Sequence, residues 1–141
     1  MFSRLKPLAA LATVLGPLVF LPAGAGAAGV PLVDAAGAPH GTVKVVLARG
    51  LVQMKIVGLV RLPSTVGSFT AHEYKAYLLS STDPANEVYL TDVYPDARER
   101  SARKVALGGD LSQMGLDRVV ITAFSKDGQS SADVLTAAIA P

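Results

Sequence analysis

The chain has 141 residues, 50% of them hydrophobic and 17% charged, with 13 Lys and Arg against 11 Asp and Glu and no cysteine. A chain of this length builds one domain core rather than two, and without cysteine it has no disulfide, no thiolate metal site, no lipid-bearing cysteine and no cysteine nucleophile. Arg4 and Lys6 belong to a distinct amino-terminal segment, so the remaining body carries 11 basic and 11 acidic residues; a body neutral in total gives no expectation of nucleic-acid binding, which asks for a basic patch or stripe.

The amino-terminal segment has three parts. Met1 to Lys6 holds two cations and no acid, Pro7 to Pro22 is apolar apart from Thr13, and Ala23 to Ala28 contains only alanine and glycine. Charged start, apolar middle and A-x-A end are the parts of a secretory signal peptide. The expectation is a signal peptide over residues 1–28, cut after Ala25, Ala27 or Ala28, and a domain over 29–141. The competing reading is an anchor helix left in place. Pro7 to Ala28 is barely as long as the roughly 20 apolar residues that a span needs, and Gly16-Pro17 and Pro22 weaken such a helix. The mature chain is therefore expected to be secreted or extracytoplasmic, in the periplasm or at the cell surface. It would touch a membrane only if the signal segment stayed uncut.

The body reads as strands. Val30–Val33 is a short strand within a Gly, Pro and Ala-rich lead-in that runs to Gly41. Thr42–Ala48 is rich in β-branched residues, Arg49-Gly50 turns the chain, and Leu51–Gly58 alternates with period two. Val52, Met54 and Ile56 share one face of that strand, and Gln53, Lys55 and Val57 share the other, the pattern of a half-buried antiparallel strand in a hairpin. Pro63–His72 has no apolar period and reads as a long loop. Glu73–Ser80 is a strand with Tyr74, Ala76 and Leu78 on one side and Tyr77 and Leu79 on the other. Ser81–Asn86 has turn chemistry. Glu87–Tyr94 follows as a strand, with Val88 and Leu90 opposite Tyr89, Thr91 and Val93. After the charged turn Pro95–Arg100, Ser101–Leu107 is an edge strand, marked by Arg103 and Lys104. Gly108–Asp117 is a long loop with one helical turn at Leu111–Met114. Arg118–Ser125 is strongly β-branched and central, placing Val120 with Ile56 in the interior. Ser125–Gly128 makes a hairpin turn, and Ala132–Ile139 closes the domain. About seven or eight short strands separated by Gly, Pro and Asp turns predict an all-β fold, an immunoglobulin-like antiparallel β-sandwich, with a small barrel as the alternative.

No catalytic motif is present. The chain has no G-x-S-x-G, no H-E-x-x-H, no phosphate loop and no G-x-G-x-x-G after a strand. His72 and Glu73 are adjacent, and adjacent residues of a strand point to opposite faces, so they do not converge. His40, between Pro39 and Gly41, reads as a loop residue. Asp83, Asp92, Asp96, Asp110, Asp117 and Asp127 are scattered without the regular spacing of a calcium loop, and they read as turn and surface residues. The expectation is no enzyme, no cofactor, no metal and no nucleic acid. Four tyrosines, Tyr74, Tyr77, Tyr89 and Tyr94, either pack the sheet with hydroxyls at its rim or form a stacking surface for a ligand.

Leu51-Val52-Gln53-Met54-Lys55-Ile56-Val57-Gly58-Leu59, then Leu62-Pro63, then Tyr74-Lys75-Ala76-Tyr77-Leu78-Leu79 resembles the extracytoplasmic domain of anti-sigma-K factor (RskA-like) proteins. That family has a strand ending in a Gly-Leu-Pro-like corner and then a Tyr-x-x-Trp-Leu strand. Asp117–Thr122 with Lys126-Asp127-Gly128 is similar to its last hairpin. Tyr77 stands where the family has Trp, and Ala123-Phe124 replaces its Glu-Pro. The resemblance implies an outer, sensor-like domain. Only five residues precede Lys6, so the expectation is that outer domain without the sigma-binding domain. Two functional expectations follow. The first is a non-catalytic domain that meets an envelope protein through unpaired strand edges and the loops Ser64–His72 and Gly108–Asp117. The second is a small-ligand or carbohydrate-binding module using surface tyrosines, which requires at least two rings side by side on one open surface.

Overall fold

Leu51–Val57 alternates as its residues dictate, with Val52, Met54 and Ile56 buried and Gln53, Lys55 and Val57 exposed. The same logic runs through the whole computed structural model, which describes residues 29–139; the expected signal peptide lies outside the described residues. The strands are β1 (Val30–Val33), β2 (Pro39–Val46), β3 (Leu51–Val57), β4 (Ser64–Val66), β5 (Phe69–Leu79), β6 (Glu87–Val93), β7 (Arg100–Ala106), β8 (Arg118–Ser125) and β9 (Ser131–Ala138). All their pairings are antiparallel. The only helical element among the described residues is a 3₁₀ turn at Leu47–Arg49.

The strands form one curled sheet in the order β7-β3-β2-β1-β9-β8-β5-β6, with β4 on the amino-terminal stretch of β5. Its two halves, β7-β3-β2-β1 and β9-β8-β5-β6, fold onto each other as a sandwich. Their junction is thin, since β1 and β9 share the single register pair Val33 with Thr136. The chain crosses between the halves after β3, after β6 and again after β7, giving an immunoglobulin-like arrangement in which β7-β3-β2 faces β6-β5-β8-β9. At the far ends of the sheet, β6 and β7 approach each other, and Arg103 Nη2 donates to Thr91 Oγ1 at 2.8 Å.

The core lies between the halves. Leu32, Val43, Met54 and Ile56 meet Tyr74, Leu78, Val119 and Ile121 in one buried cluster. Tyr74 is the largest fully buried side chain of the described residues. Its hydroxyl donates to the Val60 carbonyl at 2.7 Å, so a polar atom leaves the core with a partner. Val120 is fully buried but stands outside that cluster. It pairs with Tyr77 and Thr136 and shares their outward side of the sheet.

Several expectations are corrected. The segment Pro63–His72 is not a long loop: Ser64, Thr65 and Val66 pair with Ala71, Thr70 and Phe69 around Gly67, whose φ of 57° suits the turn. The strand count is nine rather than seven or eight. His40 lies within β2 and His72 within β5, not in loops. The strand expected over Thr42–Ala48 begins at Pro39 and gives way at Leu47 to the 3₁₀ turn. Gly50 ends that turn at φ 63°, and a Cβ there would stand 2.5 Å from the Gly109 carbonyl oxygen. The one turn expected at Leu111–Met114 is present, closed by the Met114 N–H donating to the Leu111 carbonyl at 3.1 Å.

The alternation in β6 also breaks. Ala76 pairs with Thr91 and Tyr77 with Tyr89, so Leu90 is an extra residue, a β-bulge. Val93 consequently joins Val88 and Leu90 on the core side, against the strict period-two expectation.

Candidate binding surface

The bulge at Leu90 assembles the surface. Tyr89 and Asp92 are three residues apart, an odd spacing that puts side chains on opposite faces of a regular strand. The extra residue restores them to the same face, beside Tyr77 and Lys75 of β5, which are their register partners. Tyr94, two residues beyond Asp92, joins them. The Tyr77 and Tyr89 rings meet edge to face, with centroids 5.8 Å apart and planes at 63°. Tyr89 is 48% exposed and Tyr94 63% exposed.

Asp92 organises this group. It accepts hydrogen bonds from the Tyr89 hydroxyl at 2.6 Å and the Tyr94 hydroxyl at 3.1 Å. Lys75 Nζ stands 3.6 Å from its carboxylate, 3.8 Å from that of Glu73 and 5.5 Å from the centre of the Tyr89 ring. The Tyr89 hydrogen bond, seconded by Tyr94 and Lys75, holds the Asp92 carboxyl below its usual range. The same bonds push the Tyr89 and Tyr94 hydroxyls up. Burial raises Tyr77, and the Asp92 charge raises Lys75. Near neutral pH the cluster is therefore an ionised carboxylate, a charged lysine and three protonated phenols. This is an aromatic patch around Lys75 and its two carboxylate partners, Asp92 and Glu73.

Of the four tyrosines singled out in sequence, the structure brings Tyr77, Tyr89 and Tyr94 together and excludes Tyr74, which is buried in the core. Lys75, Asp92 and Glu73 complete the patch and were not selected from sequence. The available signal was their interleaving with tyrosine, and it is weak without knowledge of the bulge.

The other sequence candidates have local work. His40 is half-buried, with Nε2 2.8 Å from Asp34 and Nδ1 3.1 Å from the Val57 carbonyl, so it clasps the β1–β2 turn to the end of β3. Gly58 makes room for it, since a Cβ there would come within 2.9 Å of Nδ1. His72 is exposed. Asp83, Asp96, Asp110 and Asp127 each accept from a backbone N–H of their own turn, at Ala85, Arg98, Ser112 and Gln129 respectively. Asp117 instead receives the backbone N–H and hydroxyl of Ser81, tying two loops together. Among the described residues no three His, Asp or Glu side chains converge as a metal site.

Comparison with protein-family models, curated proteins and solved structures finds no match to this chain. The surface must be judged on its own chemistry.

Proposed function

We propose that the chain is an exported, non-catalytic β-sandwich that acts through protein–protein contact at the cell envelope, with the tyrosine face of β5 and β6 as its contact surface. The observation that carries this reading is the surface cluster of half-buried Tyr77 with exposed Tyr89 and Tyr94, held in place by Asp92 and Lys75. Tyrosine offers a large, amphipathic area with few rotatable bonds, which is why it concentrates at protein contact sites. Hydroxyls already bonded to Asp92 lose little further freedom on binding. The short motifs that resemble the outer domain of anti-sigma-K factors agree with a sensor-like envelope role, and the signal-like segment 1–28 with export. The test is capture of envelope proteins by the chain and by a Tyr89→Ala/Tyr94→Ala variant. A partner retained by the parent and lost by the variant supports the proposal; equal capture by both overturns it.

One observation favours a second reading. Tyr77 and Tyr89 are side by side on an open surface, which a carbohydrate-binding module requires. Their 63° angle departs from the flat platform on which a sugar ring lies, which supports protein contact over sugar binding. An oligosaccharide that binds the parent and not the double variant would reverse that order.

A further inference from the structure

The outer face of β2, β3 and β7 is a second surface, on the other side of the sandwich from the tyrosines. The domain is neutral in total, but its charges are segregated. β2, β3 and β7 carry Lys44, Lys55, Arg100, Arg103 and Lys104 and no acidic residue, while β5, β6, β8 and β9 carry Glu73, Glu87, Asp92 and Asp133 against Lys75 and Arg118. The register sets four of the cations in order. Lys44 and Lys104 both lie opposite Gln53, Lys55 lies opposite Thr42 and Ala102, and Arg100 lies opposite Val57. Directly opposed residues share a face, and successive same-face rows are about 7 Å apart along a strand. Three consecutive rows thus each present at least one cation, over roughly 13 Å. All four side chains are exposed, and none pairs with a carboxylate among the described residues.

The surface between β3 and β7 is also grooved. A depression of 320 Å³ at Lys55, Val57, Arg100 and Ala102 adjoins one of 130 Å³ at Gln53, Lys55, Ala102 and Lys104. They share Lys55 and Ala102, whose short side chain leaves the trough open between longer neighbours. One carboxylate, Asp96, lies at the Arg100 end, where it accepts the backbone N–H groups of Arg98 and Arg100.

We propose that this groove binds a linear polyanion, a polymer with regularly repeated anionic groups laid along β3 and β7. Unpaired cations at a repeating step give the charge complementarity, and the trough running with the strands selects a linear chain over a flat anionic membrane. The face carries no aromatic side chain, so it has nothing on which nucleic-acid bases would stack. The inference does not depend on the tyrosine face.

The test measures binding of inorganic polyphosphate and polygalacturonate to the purified protein at two salt concentrations. Release of counterions by four cations, at about 0.7 per charge for a single-stranded chain, predicts roughly 50-fold weaker binding at ~200 mM than at ~50 mM salt. Lys55→Gln/Lys104→Gln should reduce that salt effect to about sevenfold. Ala102→Trp fills the trough at constant charge and should weaken binding at both salt concentrations. Lys75→Gln and Tyr89→Ala should bind as the parent does. All five positions lie in exposed or half-buried places, and circular dichroism of each variant is the check that it is folded. The proposal is overturned if neither polymer binds, if the double variant or Ala102→Trp binds like the parent, or if an oligonucleotide or an anionic phospholipid vesicle of matched charge binds more tightly than the polymers.

Discussion

Tyr74 offers the sharpest test of how the core and the surface divide the tyrosines. The ring fills the middle of the sandwich, while the hydroxyl reaches out to the Val60 carbonyl at 2.7 Å. Tyr74→Phe removes that hydrogen bond and a longer contact of the hydroxyl with Ser64 Oγ at 3.5 Å. Val60 is 51% exposed, so water can take over its carbonyl, and the loss should be about 1 kcal/mol, within the usual range for one neutral hydrogen bond. Tyr74→Ala removes the ring and leaves a cavity, at a cost of about 3–5 kcal/mol. For a domain of this size, about 4 °C of melting temperature corresponds to each kcal/mol. The expected falls are therefore about 4 °C for Phe and about 12–20 °C for Ala. The second is a large part of the roughly 5–15 kcal/mol that holds a domain folded. Thermal melts and urea titrations followed by circular dichroism read both. The urea slope should stay constant for Phe, as expected when only stability changes. Equal falls for the two variants, or a fall of only a few degrees for Ala, would refute the assignment of Tyr74 to the core. Partner capture by Tyr74→Phe should match the parent, because this residue contributes nothing to the exposed cluster.

Ile56→Asp should prevent folding, since an unpaired charge in the interior costs several kcal/mol or more, whereas Gln53→Asp on the exposed side of the same strand should be mild; comparable damage in denaturant melts would invalidate the face assignment. Acid should destabilise the domain through its aspartates. Asp34, Asp92, Asp96, Asp110, Asp117 and Asp127 all have carboxyls lowered below the ordinary aspartate value of about 3.9, chiefly by hydrogen bonds that the charged form accepts. Below that value the unfolded chain binds protons that the folded chain refuses, so the stability these groups supply is complete above about pH 5 and drains away as pH falls through the folded values. Ser81→Ala, which removes the largest cause acting on Asp117, should lessen that acid sensitivity in melts at pH 3 to 6; an unchanged profile would count against the assignment. Mass spectrometry of the exported chain should find a new amino terminus between Gly26 and Gly29, and a full-length chain in the membrane fraction would show an anchor instead.

The fold was legible wherever side-chain pattern alone decides the outcome. The alternation of Leu51–Val57 fits a strand with one wet face, and the β-branched run Arg118–Ser125 fits a central strand, occupied on both sides by β5 and β9. What escaped depends on partners. Ser64–Val66 is three polar and β-branched residues without an apolar period, and it becomes a strand because Phe69–Ala71 returns beside it. Val120 follows the same rule: its burial was readable, but its side of the sheet is set by its pairing with Tyr77 and Thr136. The bulge at Leu90 exists only in relation to β5, so the grouping of Tyr89 with Asp92 could not be obtained from β6 by itself. Charge segregation was hidden differently. Lys44, Lys55 and Lys104 are far apart in the chain, and an even total of acids and bases conceals their common face until the register of β2, β3 and β7 brings them together.

The approach of β6 to β7 has a dynamic consequence. Each of these strands has a ladder partner on one side only, β5 for the former and β3 for the latter. Their other backbone edges meet where Arg103 reaches Thr91. A closure held by side chains parts without breaking a ladder of amide bonds, so this line is where the sandwich gapes most readily. Amides along the outer edges of β6 and β7 will exchange with solvent long before those of β8, which is laced on both sides and opens only with the whole domain. The molecule thus breathes along one line, like a rolled sheet whose two margins overlap but are not sewn.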